Sequence, residues 1–232
     1  MPFHLNSVSV PILCYVTDRS SLSQSAPTFE TLLLKIAAAI ASGVDWIQLR
    51  EKDLSAKEFA KLARAAVDLS AKSAGNSSRT RIFVNDRLDV AIAESASGVH
   101  LGEQSVPVQQ AKNLANKLRS SSNPHFLVGA SCHSLNAAQA AATSGADYVL
   151  FGPIFETPSK ARFGPPQGLD RLAKICEAVS IPVLAIGGIN LHNAQSCLAA
   201  GAAGIAVIRL FQDPSSAALR TLVRALHALP RT

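Results

Sequence analysis

The chain has 232 residues, 48% hydrophobic and 16% charged, which is long for one compact domain, short for two and far from disordered compositions. Lysine and arginine outnumber aspartate and glutamate by 22 to 16, a formal charge of +6 that admits an anionic partner without choosing its class. Aromatic residues reach only 5% and no basic run is interleaved with them, which disfavours a nucleic-acid surface and predicts an aliphatic core. In chain order, strand patterns rich in Val, Ile and Phe fall at Ile12–Asp18, Asp45–Glu51, Arg81–Asp86, Gly98–Gly102, Phe126–His133, Tyr148–Phe155, Pro182–Gly188 and Gly204–Leu210. Several are apolar throughout, as parallel strands covered by helices should be. Between them, apolar residues at three- and four-residue steps predict helices such as Phe29–Ser42, Ala56–Ala71 and Val108–Arg119. Asp53 and Ser55 read as helix starts before Ala56, and Gly43 and Gly201 as stops.

Eight strand–helix units predict an α/β fold, a single (β/α)8 TIM barrel over residues 1–232. Residues 1–10 form an N-terminal extension, and 214–232 a C-terminal helix and tail. A doubly wound open sheet is the competitor, but Thr17-Asp18-Arg19 after the first strand offers no glycine for a dinucleotide turn. Polar loops at 75–78 and 120–124 enter the third and fifth strands, on the face opposite the usual barrel active site. Cys14, Cys132, Cys176 and Cys197 contain no CxxC pair, so reduced, mostly buried thiols are expected in a cytoplasmic protein. No signal-peptide pattern opens the chain, and Lys35 and Asp45 bound the apolar run 36–44, so no membrane partner is expected.

Barrel chemistry gathers at the C-terminal ends of the strands, and polar residues collect there in this sequence. The second strand ends Gln48-Leu49-Arg50-Glu51-Lys52, where two cations and an amide suit a diphosphate. The competing assignment is a salt-bridge cluster with Glu51, Asp53 and Glu58. Asp86, ending the third strand after Asn85, is a candidate Mg²⁺ ligand or a cap for a helix over Leu88–Glu94. His100 and His133 stand at neighbouring strand ends, whereas His4, His125, His192 and His227 read as surface residues. The sixth strand leads into Thr157-Pro158-Ser159-Lys160, a loop able to wrap a phosphate. Gly187-Gly188 and Ile208-Arg209 occupy the loops after the seventh and eighth strands, where barrels repeatedly bind phosphate.

Taken together, the segments Gln48-Leu49-Arg50-Glu51-Lys52, Asn85-Asp86-Arg87, Gly98-Val99-His100-Leu101-Gly102, Gly152-Pro153-Ile154-Phe155, Thr157-Pro158-Ser159-Lys160 and Ala185-Ile186-Gly187-Gly188-Ile189 resemble the thiamine phosphate synthase/TenI family over roughly residues 13–213. The resemblance implies a synthase that joins hydroxymethylpyrimidine diphosphate to thiazole phosphate and releases pyrophosphate. It implies that Gln48, Arg50, Lys52, Asn85, Ser131 and Lys160 hold the pyrimidine diphosphate. It further implies that Asp86 binds Mg²⁺, that Thr157 and Ser159 meet the thiazole phosphate, and that Gly188, Ile208 and Arg209 surround its phosphate.

Two positions depart from the family pattern. Ser105 stands where a second metal-binding aspartate is usual, leaving Glu103 or Ser105 as the second ligand, and Arg209 stands where a serine is usual. The TenI branch, a thiazole tautomerase without the diphosphate-binding metal, is the alternative, because His133 falls at its catalytic histidine. A catalytically silent phosphate-binding barrel is the second alternative. The expected partners are small phosphorylated pyrimidine and thiazole molecules, with neither nucleic acid nor membrane. Whether the chain forms a homo-oligomer is left open.

Overall fold

Strands β1 (Ile12–Val16), β2 (Trp46–Leu49), β3 (Arg81–Asn85), β4 (Gly98–Leu101), β5 (Leu127–Cys132), β6 (Tyr148–Phe151), β7 (Val183–Ile186) and β8 (Gly204–Val207) pair in sequence order, all parallel. Strand β8 pairs in turn with β1, so the sheet closes into the expected eight-stranded barrel. This computed structural model describes residues 10–22, 28–73, 80–118, 125–157, 165–213 and 215–231. All of the expected extension (1–10) except residue 10, both polar loops (75–78 and 120–124) and residues 158–164 lie outside the described residues.

Helices α1 (Phe29–Ser42), α2 (Ala56–Lys72), α3 (Leu88–Ala93), α4 (Val108–Leu118), α5 (Leu135–Thr143), α6 (Gly168–Ala178), α7 (Ala194–Ala199), α8 (Arg209–Gln212) and α9 (Ser216–His227) surround the strands. Their ends follow local chemistry. The Ser55 hydroxyl accepts from the Glu58 amide while the Glu58 carboxylate accepts from the Ser55 amide, a reciprocal cap that starts α2. Asp53 takes no part in that cap and pairs with Arg19 instead. Gly43 ends α1 in the left-handed region at φ 88°. The C-terminal helix α9 buries Leu219, Val223 and Leu226, each worth about 1.5–3 kcal/mol relative to exposure, and so belongs to the barrel wall. Among the described residues no helix is long and apolar enough to cross a membrane.

Alternation along the strands divides the core in two. The layer between strands and helices is mostly aliphatic, as composition predicts. The barrel interior departs from that expectation at its lower end. There Trp46, Phe83 and Tyr148 form a trio with ring centroids 4.7–5.5 Å apart, packed in one cluster with Ile12, Cys14, Leu150, Leu184 and Ala206. Glycine makes the room. A Cβ on Gly129 would lie 2.1 Å from Tyr148 Cζ, well inside van der Waals contact.

Every strand stops short of its sequence pattern at the C-terminal end, because those last residues leave the ladder to build the mouth. The largest difference is at β6. After the cis peptide Gly152–Pro153 the chain stays against the neighbouring strand β7, and the Ile154 and Phe155 amides donate to the Ile186 and Gly187 carbonyls at 2.9 and 3.0 Å.

Candidate active site

Two hydrogen-bonded chains rise from the barrel wall to the mouth. In the first, Gln48 Nε2 donates to Asn85 Oδ1 at 2.8 Å, and Asn85 Nδ2 donates to Asp86 Oδ2 at 2.6 Å. Neighbouring registers bring these residues together, since β2 aligns Gln48 with Phe83 and β3 aligns Asn85 with His100. The other Asp86 oxygen accepts from the Gly102 amide at 2.9 Å and from the Ser105 hydroxyl. Burial raises the Asp86 pKa, but Ser105, Gly102, the Lys52 charge and Asn85 together outweigh it and hold the group below its ordinary value. An ionised carboxylate accepts only, so Asn85 must turn its amide nitrogen to Asp86 and its oxygen to Gln48. Among the described residues, Gln48 Oε1 is thereby left buried with no partner.

In the second chain, His100 Nδ1 lies 3.2 Å from the Tyr148 hydroxyl and His100 Nε2 lies 2.9 Å from Ser131 Oγ. Burial, with a smaller contribution from Arg50, pushes His100 down to about 3 although Asp86 opposes the shift, so the ring is neutral near pH 7. The phenol of Tyr148 is held well above its ordinary pKa by burial and stays protonated.

Arg50 and Lys52 stand beside both chains, within electrostatic reach of His100 and Asp86 respectively. Among the described residues neither pairs with a carboxylate. Glu51 and Asp53 engage Arg19, and Glu58 caps α2, which removes the salt-bridge alternative for the two cations. The helix-cap alternative for Asp86 also fails. Arg87 is the N-cap of α3 without a side-chain cap bond, and Asp86 sits in the left-handed region at φ 60°. A non-glycine residue held there is a form of backbone strain that concentrates at functional positions.

Ser105, not Glu103, contacts Asp86. Glu103 is exposed and acts electrostatically on the Cys132 thiol, whose pKa burial already raises to about 12. His133 is exposed at the mouth with Nδ1 donating to the Gly152 carbonyl. Gly187 and Gly188 have φ 99° and 67°, and a Cβ on either would meet Pro153 or the Glu156 carbonyl at 2.5 Å. The pair is therefore demanded as much by the close approach of the loop after β6 as by any anion. Thr157 is half-buried in that loop, whereas Ser159 and Lys160 lie outside the described residues. Ile208 is half-buried and caps α8, and Arg209 is exposed as its first residue.

Sequence reasoning missed Tyr148, whose only signal was its even-numbered position on the interior-facing side of β6. It also took His227 as a surface residue, whereas His227 is half-buried with Nε2 2.9 Å from Asp45 Oδ2. The four cysteines are free, as expected, with Cys14, Cys132 and Cys197 buried and Cys176 half-buried.

A divalent cation can be tested against this donor set. Magnesium is commonly held by one or two carboxylates completed by water and substrate phosphate oxygens. Asp86 supplies one ionised carboxylate and Ser105 a neighbouring oxygen, and among the described residues no cluster of three or more His, Cys, Asp or Glu exists. The set fits Mg²⁺ that shares its coordination with a bound phosphate group, and does not fit an all-protein cage.

Known proteins resemble this chain over most of its length. The family model described as thiamine monophosphate synthase matches residues 13–211. A thiamine-phosphate synthase from Roseiflexus sp. is 39% identical over 221 residues, covering 94% of this chain and 84% of that protein. One from Moorella thermoacetica is 40% identical, covering 84% and 85%. The solved thiamine phosphate pyrophosphorylase from Pyrococcus furiosus superposes with a TM-score of 0.72 at 34% identity, covering 93% of this chain and 96% of that one.

Proposed function

The chain belongs to the thiamine monophosphate synthase family, and from that premise we propose that it condenses hydroxymethylpyrimidine diphosphate with thiazole phosphate, giving thiamine phosphate and pyrophosphate. One observation carries the site assignment. The Gln48–Asn85–Asp86 chain ends at the mouth on an unpartnered buried acceptor, Gln48 Oε1, with an ionised carboxylate and two carboxylate-free cations around it. An acceptor suits the exocyclic amino group of the pyrimidine, and the cations suit its diphosphate.

In the reaction the bond between the pyrimidine methylene carbon and the diphosphate oxygen breaks, with its electron pair leaving on oxygen. The thiazole nitrogen lone pair then forms the new C–N bond. Negative charge grows on the leaving group, so the protein's contribution is placed charge more than proton transfer. Arg50 and Lys52 neutralise that charge, Ser131 donates a hydrogen bond to it, and Gln48 with Asn85 fixes the ring. Mg²⁺, when bound at Asp86 with the diphosphate, supplies further positive charge to the leaving oxygens. On the thiazole side, Thr157 and Ser159 would contact the thiazole phosphate, while Lys160 would join Arg50 and Lys52 at the diphosphate. Gly188, Ile208 and Arg209 would receive its phosphate.

A tautomerase reading keeps one observation in its favour, the exposed His133 ring anchored on the Gly152 carbonyl at the same mouth. The deciding experiment supplies purified protein with both phosphorylated substrates and Mg²⁺, and separately with the thiazole tautomer alone. Formation of thiamine phosphate, lost in Asp86→Ala and showing a raised KM for the pyrimidine diphosphate in Lys52→Ala, supports the proposal. Tautomer conversion alone, abolished by His133→Ala, refutes it. Neither activity, with phosphate ligands still bound, would identify a silent barrel.

A further inference from the structure

A serine hydrogen-bonded to a histidine has the outward form of a nucleophilic pair, but the proton inventory here runs the other way. The Tyr148 side chain is buried, and among the described residues its hydroxyl has one partner, His100 Nδ1 at 3.2 Å. A phenol has one proton to donate. Were Nδ1 also protonated, that phenolic proton would be left in the barrel interior without an acceptor, a cost comparable with a lost buried hydrogen bond. The phenol must therefore donate to Nδ1. A neutral imidazole carries only one proton, which then lies on Nε2 and is donated to Ser131 Oγ at 2.9 Å. Nothing remains on the ring to accept the serine proton. The Ser131 hydroxyl is half-buried at the mouth, and its own hydrogen points away from the histidine.

We propose that Tyr148 and His100 are positioning residues that fix Ser131 as a hydrogen-bond donor toward anionic oxygens of the bound substrate, an inference that rests on the synthase reading for the identity of that substrate. The relay excludes Ser131 as a nucleophile. It also links the aromatic floor of the barrel to its mouth. Gly129 lets the Tyr148 ring approach β5 closely, and β5 carries Ser131 two residues further on.

The test has a part that needs no turnover. Nitrogen-15 spectra of histidine-labelled full-length protein at neutral pH should show His100 protonated on Nε2, and Tyr148→Phe should shift its Nδ1 resonance. Finding the proton on Nδ1 overturns the assignment. Titration with inorganic pyrophosphate should then give weaker binding for Ser131→Ala, and weakening by about five- to tenfold for Tyr148→Phe, the size of one hydrogen bond. In the Ser131→Ala background, Tyr148→Phe should change affinity less than about twofold, since its effect passes through the serine. An equal loss in both backgrounds means that Tyr148 acts by packing alone and refutes the positioning role. Absence of synthase turnover in the wild-type protein would refute the functional reading instead, with the spectra and the pyrophosphate titration still deciding this one.

Discussion

Replacing Asp86 by Asn changes little in size and reverses a hydrogen-bond requirement. The native carboxylate accepts from Asn85 Nδ2 at 2.6 Å on one oxygen, and from the Gly102 amide at 2.9 Å and the Ser105 hydroxyl on the other. A carboxamide offers one acceptor oxygen and one donor nitrogen, so one side must face donor with donor. If the new nitrogen faces Asn85, both Asn85 and Gln48 must flip, and Gln48 then shows the mouth a donor where it now shows an acceptor. If it faces Gly102 and Ser105, the Ser105 hydroxyl loses its acceptor and the Gly102 amide keeps only Ser105 Oγ at 2.8 Å. Losing a hydrogen bond to a charged group costs about 1.5–3 kcal/mol, and partial exposure of Asp86 places the expected loss at the lower end. The native carboxyl titrates below its ordinary value, so its stabilisation is complete above the unfolded value of about 3.9 and is lost as pH falls through the native value. Urea denaturation without Mg²⁺ should therefore show Asp86→Asn about 1.5–2 kcal/mol less stable at pH 7, with the gap narrowing at about pH 3. A gap below about 0.5 kcal/mol at pH 7, or one equal at both pH values, would refute the reasoning.

Two further variants probe the frame around that chain. Gly129→Ala would set a methyl group 2.1 Å from Tyr148 Cζ in a ring already boxed by Trp46 and Phe83, and should cost about 2–4 kcal/mol in urea denaturation; a change under about 1 kcal/mol contradicts the packing described. Ser105→Asp would place a second carboxylate against Asp86, so the metal-free protein should melt at lower temperature and Mg²⁺ should raise that temperature more than in the wild type. Equal Mg²⁺ shifts in both proteins would show that position 105 does not face the metal.

The two chains give the mouth a definite polarity. One ends on an acceptor, Gln48 Oε1, because a carboxylate stands at its far end; the other ends on a donor, the Ser131 hydroxyl, because a phenol stands at its far end. In each case the group at the far end of the chain decides whether its near end donates or accepts. That arrangement suits a molecule carrying an amino group at one end and a diphosphate at the other.

Much of this was legible in the sequence. The alternation of apolar strand runs with three- and four-residue helical spacing is a local property of the chain, and it specified eight strand–helix units and hence a closed barrel. Gln48, Arg50, Lys52, Asn85, Asp86, His100 and Ser131 were visible as polar residues at strand ends, where a barrel concentrates chemistry. What the sequence by itself did not determine was their pairing. Whether Asp86 caps a helix or joins Asn85, whether Arg50 and Lys52 stand apart from Glu51, and whether Ser105 or Glu103 meets Asp86 all depend on register between strands far apart in sequence. Tyr148 shows the same limit most clearly. Its phenol meets His100 across an intervening strand, β5, and only through the gap left by Gly129. Periodicity reports which face a side chain occupies, while hydrogen-bond partners are set by closure of the barrel, which brings strands from the whole chain to one mouth.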